Sequence, residues 1–162
     1  MKQPSEMTFK ITAVLIGVSA VFELTTVSTS VPFFGTILIT PSVMLYHLSY
    51  MIIFAVLGFG LWYAKVWGYV TLWLTLIVYV VDRLQLAMSP ALLREYIMMQ
   101  LQSYDRILKL LQMDMALLEQ SGMLDVIVFS MQIMGFTMAV CWLGFGVYAY
   151  QQRGYFGMGR GK

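Results

Sequence analysis

Four ionisable residues interrupt otherwise apolar stretches of the chain: Glu23, His47, Asp82 and Arg83. A charge at the centre of a bilayer costs about 2.5–3.5 kcal/mol, so such side chains face protein or water and take a partner. Glu23 can pair with Arg83 or with His47, and two neighbouring carboxylates would share a proton. Adjacent helical residues project about 100° apart, so we do not expect Asp82 and Arg83 to point the same way.

These residues support two hypotheses. In the first, Glu23, His47, Asp82 and Arg83 form a pocket that opens outward and binds a proton or a polar ligand. In the second, Glu23 and Arg83 form a buried clasp that fixes the helices. One histidine and one cysteine, Cys141, are too few donors to predict a metal site or a thiol–disulfide pair. No motif indicates a catalytic residue, and the cofactor, if any, is left open.

The elements that must position these side chains are four apolar helices. The chain has 162 residues, of which 60% are apolar and 11% are charged, whereas soluble domains carry about 25% charged residues. Runs of about 20 apolar residues cross a bilayer as helices, because lipid leaves the backbone to satisfy its own hydrogen bonds. We predict an all-α membrane protein with one domain, 1–162. The predicted spans are 9–31, 44–64, 67–88 and 125–150.

Distances along these helices place the ionisable residues at one depth. With Lys10 at one membrane surface, Glu23 lies roughly 20 Å further along a helix, past the midplane of a core about 30 Å thick. By the same rise, Asp82 lies roughly 22 Å beyond Trp67. His47 opens the second span from the opposite surface. The polar set is therefore expected in the outer half of the bilayer.

The distribution of basic residues predicts an orientation. Short cytoplasmic loops carry an excess of lysine and arginine. In a four-span arrangement six basic residues fall on one side: Lys2, Lys10, Lys65, Arg153, Arg160 and Lys162. We expect a multi-pass protein of the bacterial inner membrane with both termini in the cytoplasm. The net charge of +2 gives no reason to expect a nucleic-acid partner.

A sequence echo indicates an internal repeat. Residues 57–69 and 143–155 share six identities in thirteen places, including a Leu-Gly-Phe-Gly run and a later Gly-Tyr pair. An alignment of the preceding spans places Glu23 opposite Asp82. The echo predicts two tandem hairpins of two helices each, related by an axis near the membrane normal. The glycines of the echo are interpreted as sites of close helix packing.

A fifth helix is predicted outside the spans, over about 90–121. Ser89 suits its N-cap, Pro90 its first position and Gly122 its end. Its apolar residues alternate in steps of four and three, which is the pattern of a heptad seam. We expect this seam to contact a partner through Ile97, Leu101, Tyr104, Leu108, Leu111, Met115 and Leu118.

Other arrangements of this amphipathic helix stay open. It could cover the polar set from the outer interface, pair with another subunit, or pack on the rim of its own bundle. The connection 31–42 is uncharged and mostly apolar. We expect it to dip into the outer interface or to pack beneath the amphipathic helix.

One stretch resembles a group of known proteins. The run from Gly58 to Trp62 is followed by Lys65 and by Trp67-Gly68-Tyr69. It resembles small bacterial four-span membrane proteins of unassigned function, in which the third span often ends in an acidic residue, as Asp82 does here. The resemblance covers about 30 residues, and it implies a four-span fold and a membrane location but no activity.

The functional expectation follows from small size, an apolar outer connection and the absence of a catalytic motif. We expect a non-catalytic accessory or assembly subunit of a larger membrane complex, surrounded by lipid and bound to a membrane-protein partner or to copies of itself. The alternative is a small transporter or ligand-binding protein that uses the polar set.

Overall fold

Five α-helices and one short β-hairpin make up the computed structural model, which describes residues 4–103 and 119–158. A 3-10 turn, Arg153–Phe156, follows the last helix. The helices are α1 (Pro4–Thr25), α2 (Ser42–Trp62), α3 (Val66–Ala87), α4 (Pro90–Ser103) and α5 (Met123–Gln151), and the strands are β1 (Val31–Phe33) and β2 (Thr36–Leu38).

Within the described part of the chain, four helices are long and apolar enough to cross a membrane, as predicted: α1 from Glu6 onward, α2, α3 and α5. The first span ends at Thr25 rather than at residue 31. The hydroxyls of Thr25 and Thr26 both donate to the Phe22 carbonyl, at 2.8 and 3.0 Å. Such local bonds compete with helical ones, and the chain leaves the helix here. Glu23 consequently lies in the last turn of α1.

The spans pack in chain order, with α1 on α2, α2 on α3, and α3 on α5. Aromatic side chains fill the end of the bundle where α1 begins and α5 finishes, which we call the terminal end. There the buried Phe9 ring stacks on Tyr155 with centroids 4.6 Å apart. The Tyr155 hydroxyl donates to the Leu61 carbonyl at 2.8 Å. These contacts hold the first turns of α1 and the 3-10 turn after α5 against the end of α2.

Glycine permits the closest approach in the bundle, between the end of α2 and the start of α3. A Cβ at Gly68 would lie 2.6 Å from the Gly60 Cα. The glycines at the equivalent places in the second copy of the sequence echo, Gly144 and Gly146, have different surroundings. A Cβ at Gly146 would meet a leucine side chain of α3, whereas one at Gly144 would meet nothing within 4 Å. The packing role is thus confirmed for some of these glycines, and the tandem repeat stays a prediction.

The connection between α1 and α2 contains a short β-hairpin, which was not predicted from the sequence, although the fold is otherwise helical. Val31 pairs with Leu38 in antiparallel register. The two turn residues, Phe34 and Gly35, have φ values of 41° and 83°, which is the pattern of a type I′ turn. The hairpin contacts α3 and α4, in agreement with the expectation that this connection packs beneath the amphipathic helix.

The helix α4 begins at Pro90, as predicted, and packs on the first half of α5. Ile97 is buried with Leu93 against Leu124 and Val128, and Leu101 packs at the edge of this cluster. These two seam residues therefore contact the chain's own helix. The other five lie outside the described residues, and their partner contacts stay a prediction: Tyr104, Leu108, Leu111, Met115 and Leu118.

Candidate functional site

The polar groups of the spans gather at the end of the bundle that carries the β-hairpin, which we call the hairpin end. At this end, two adjacent residues of α2 contact two different neighbouring helices. Because successive helical residues project about 100° apart, His47 faces α1 while Tyr46 faces α3. His47 contacts Glu23, and Tyr46 contacts Asp82. The predicted set is thus divided into two groups on either side of α2.

The first group is the pair of Glu23 and His47, one of the two pairings expected for Glu23. The His47 Nδ1 lies 2.6 Å from the Glu23 Oε2, and the His47 Nε2 lies 3.0 Å from the Thr29 carbonyl oxygen. A carbonyl oxygen only accepts, so Nε2 carries a proton, and one further proton lies between Nδ1 and the carboxyl group. The pair fixes α1 to α2 and holds the segment that leads into β1.

The second group surrounds Asp82, which is 4% exposed. The Tyr46 hydroxyl donates to Asp82 Oδ2 at 2.9 Å, and the Arg83 guanidinium lies 3.5 Å from the same oxygen. Our expectation that Asp82 and Arg83 point apart was therefore wrong. The 100° separation governs the Cβ directions, whereas the long arginine side chain bends back toward its neighbour. The Arg83 guanidinium also lies over the Tyr79 ring, 4.8 Å from its centroid. The predicted Glu23–Arg83 clasp is replaced by these two separate pairs.

Three buried polar atoms of this second group have no hydrogen-bond partner in the described part of the chain: Asp82 Oδ1, Tyr50 Oη and Arg83 Nε. Tyr50 is 5% exposed. A buried polar group without a partner costs about 1–3 kcal/mol, and more if charged. Such groups are rare in folded proteins, and each one calls for an explanation such as an unseen water or ligand.

A cavity of about 540 Å³, the hairpin groove, reaches this site between α2, α3 and the β-hairpin. Asp82 and Tyr50 both belong to its wall, together with Tyr46 and two serines. The rest of the wall is apolar, and its outermost residues are exposed, Leu45 at 67% and Ile77 at 57%. The lining residues are Phe33, Phe34, Leu38, Ser42, Leu45, Tyr46, Ser49, Tyr50, Ile53, Ile77, Val78, Val81 and Asp82.

The β-hairpin closes one side of the groove and is fastened to α3 by Gln85. The Phe34 amide donates to Gln85 Oε1 at 3.0 Å, and Gln85 Nε2 donates to the Pro32 carbonyl at 3.4 Å. Sequence reasoning missed this residue, as well as Tyr46 and Tyr50. The two tyrosines are four residues apart and so share a face of α2. That spacing, close to His47 in the sequence, was the signal that could have identified them as site residues.

The arrangement has features of a small-molecule binding site. An apolar groove with a few polar groups at one end is typical of small-molecule sites. Within 4–103 and 119–158, no three side chains of His, Cys, Asp or Glu gather as potential metal ligands.

Comparisons with protein-family models, with curated proteins and with solved structures find no match. The resemblance of residues 58–69 to small bacterial four-span proteins therefore stays a prediction. The functional assignment rests on the geometry of the chain itself.

Proposed function

We propose that this chain is a small multi-pass membrane protein that binds an amphiphilic molecule from the bilayer in the hairpin groove. One observation carries the proposal. Asp82 and Tyr50 are buried residues of the groove wall, and Asp82 Oδ1 and Tyr50 Oη lack hydrogen-bond partners within the described residues. A bound polar headgroup would satisfy them.

The walls of the groove support an occupant that is mostly apolar. Leu45, Ile77, Val78 and Val81 line it, and each of them is also exposed on the side of the bundle. In a membrane that side faces lipid, so the mouth of the groove opens sideways into the bilayer. The distribution of basic residues supports an orientation with both termini in the cytoplasm and the groove in the outer half of a bacterial inner membrane.

A matched pair of variants tests the proposal. Ile77→Trp fills the groove, whereas Leu74→Trp adds the same side chain to an exposed position of α3 outside the groove. Native mass spectrometry of protein extracted without detergent, together with its surrounding lipid, should show a small-molecule adduct on the unmodified chain and on the Leu74 variant, and far less on the Ile77 variant. Equal adducts on both variants, or no adduct on any of them, would contradict the proposal.

A second candidate is the accessory or assembly subunit, and the free face of α5 favours it. Seven exposed apolar residues of α5 follow one another in steps of three and four, the spacing of a helix-pairing seam. They are Val126, Phe129, Ile133, Phe136, Val140, Leu143 and Val147. In the same mass-spectrometry experiment, a stoichiometric protein partner or a homo-oligomer released by Phe136→Ala would support this candidate.

A further inference from the structure

We infer that the headgroup recognised in the hairpin groove is an uncharged hydroxyl, carried by a lipid alcohol or by a membrane phenol. The inference rests on the proposed function and adds the chemical class of the ligand. It follows from which polar atoms of Asp82 and Tyr50 have a hydrogen-bond partner among the described residues and which do not.

The free atoms require both a donor and an acceptor. Asp82 Oδ2 already accepts the Tyr46 hydroxyl, while Asp82 Oδ1 has no donor among the described residues. A carboxylate oxygen can only accept, so the ligand must supply an O–H or N–H. Within the described residues the Tyr50 hydroxyl has no hydrogen-bond partner either, and it can donate to a ligand oxygen. One hydroxyl group on the ligand does both.

The charges at the site favour a neutral headgroup. The negative charge of Asp82 is balanced by Arg83, whose guanidinium lies 3.5 Å away. A cationic headgroup would add a charge of the same sign as Arg83, and an anionic one would add a charge of the same sign as Asp82. Either excess charge would be held in a low-dielectric site without a counter-ion, which is strongly unfavourable.

Neutral headgroups that have no hydrogen to donate leave part of the site unsatisfied. An ether, an ester or a quinone carbonyl accepts from Tyr50 but donates nothing to Asp82. A purely apolar end satisfies neither residue. The apolar remainder of the ligand fits along Ile53, Ile77 and Val78 toward the lipid-facing mouth. The volume of about 540 Å³ lies within the range of about 300–1,000 Å³ that is usual for small-molecule sites.

The test compares two probes that differ only at the headgroup. A 16-carbon alcohol with a diazirine on its chain and the methyl ether of the same alcohol are each added to the full-length chain in phosphatidylcholine vesicles. After irradiation, labelled peptides are mapped. The alcohol should label residues 42–53 and 77–82 about tenfold more than the ether, since one bond to a charged acceptor is worth about that factor. An alkylphenol probe then tells a phenol from an aliphatic alcohol as the better ligand.

Two variants assign the effect to individual atoms. Tyr50→Phe removes only the unpartnered hydroxyl, so folding is retained, and labelling by both probes should fall severalfold with their ratio unchanged. Asp82→Asn supplies an amide that can donate to an ether oxygen, so the ratio of alcohol to ether should fall toward one.

The outcomes separate this inference from the proposed function. Equal labelling of the groove by alcohol and ether, or stronger labelling by a trimethylammonium probe of the same chain length, would overturn the hydroxyl inference while the groove stands as a binding site. Groove labelling no higher than in the Ile77→Trp variant would overturn both.

Discussion

Replacing Gly60 with alanine should strongly destabilise the bundle at the α2–α3 turn. A Cβ at this position would lie 2.8 Å from the Trp67 ring and closer still to the Gly68 Cα. Carbon atoms in good contact are about 3.5–4.0 Å apart, so the two helix ends must separate by about 1 Å. The obstruction is backbone, which has no side-chain rotation to relieve it.

The size of the effect follows from this geometry. Extra methyl groups in a packed core cost about 1–3 kcal/mol, and a backbone obstruction places Gly60→Ala at the upper end, about 3 kcal/mol. Gly144→Ala meets nothing within 4 Å, and alanine within a helix is favoured over glycine by about 0.5–1 kcal/mol. Gly146→Ala meets the flexible end of Leu76 and should fall between them.

The order of stability of these three variants can be measured by unfolding them in mixed micelles with increasing dodecyl sulfate and monitoring helix content by circular dichroism. We expect the Gly144 variant to be the most stable and the Gly60 variant the least, with about 3 kcal/mol between them, because the gain in helix propensity applies to both helical positions. If the Gly60 and Gly144 variants unfold at the same detergent fraction, the close approach of α2 and α3 is not a feature of the folded protein.

Three further substitutions test the contacts around the site. Glu23→Leu removes the carboxyl partner of His47 Nδ1 and leaves that atom only the Thr26 hydroxyl at 3.4 Å, so it should cost about 1–3 kcal/mol, whereas in Glu23→Gln the amide can donate to that atom and most stability should remain; equal losses in detergent unfolding would contradict the pairing. Gln85→Leu removes both bonds to the β-hairpin, so hydrogen exchange over residues 31–38 should accelerate, and unchanged exchange would refute the fastening role. Tyr155→Phe should cost about 0.5–1.5 kcal/mol in the same unfolding assay, because it removes the bond that this hydroxyl donates to the Leu61 carbonyl; the exposed Tyr63→Phe is the control, and an equal loss there would refute the specific bond.

The spans could be predicted from the sequence because length and hydropathy determine them. α2, α3 and α5 begin and end within about two residues of the predicted limits. The end of α1 was misplaced by six residues, since the segment 26–31 carries no charge to mark the end of a span, while threonine hydroxyls compete with the helical hydrogen bonds from Thr25 onward. Hydropathy reports which segments enter lipid, whereas the exact helix end depends on local hydrogen bonds.

The candidate site was only partly predictable. Glu23 was expected to pair with either Arg83 or His47, and the predicted depths did not distinguish the two partners. Asp82 was identified, but Tyr46, whose hydroxyl donates to Asp82, was not. A tyrosine in an apolar run can pack as an apolar residue or donate a hydrogen bond, and the sequence does not show which. The β-hairpin was also missed, although Gly35 between two short apolar runs is typical of a tight turn.

The sideways opening of the hairpin groove has a consequence for how affinity must be expressed. A ligand that enters between Leu45 and Ile77 arrives from the membrane and not from water. Its occupancy is therefore set by its mole fraction among the surrounding lipids. Diluting the sample with buffer should leave occupancy unchanged, while adding empty vesicles or detergent should strip the ligand. A poorly water-soluble compound could thus fill the site with a modest intrinsic preference, because the bilayer has already concentrated it.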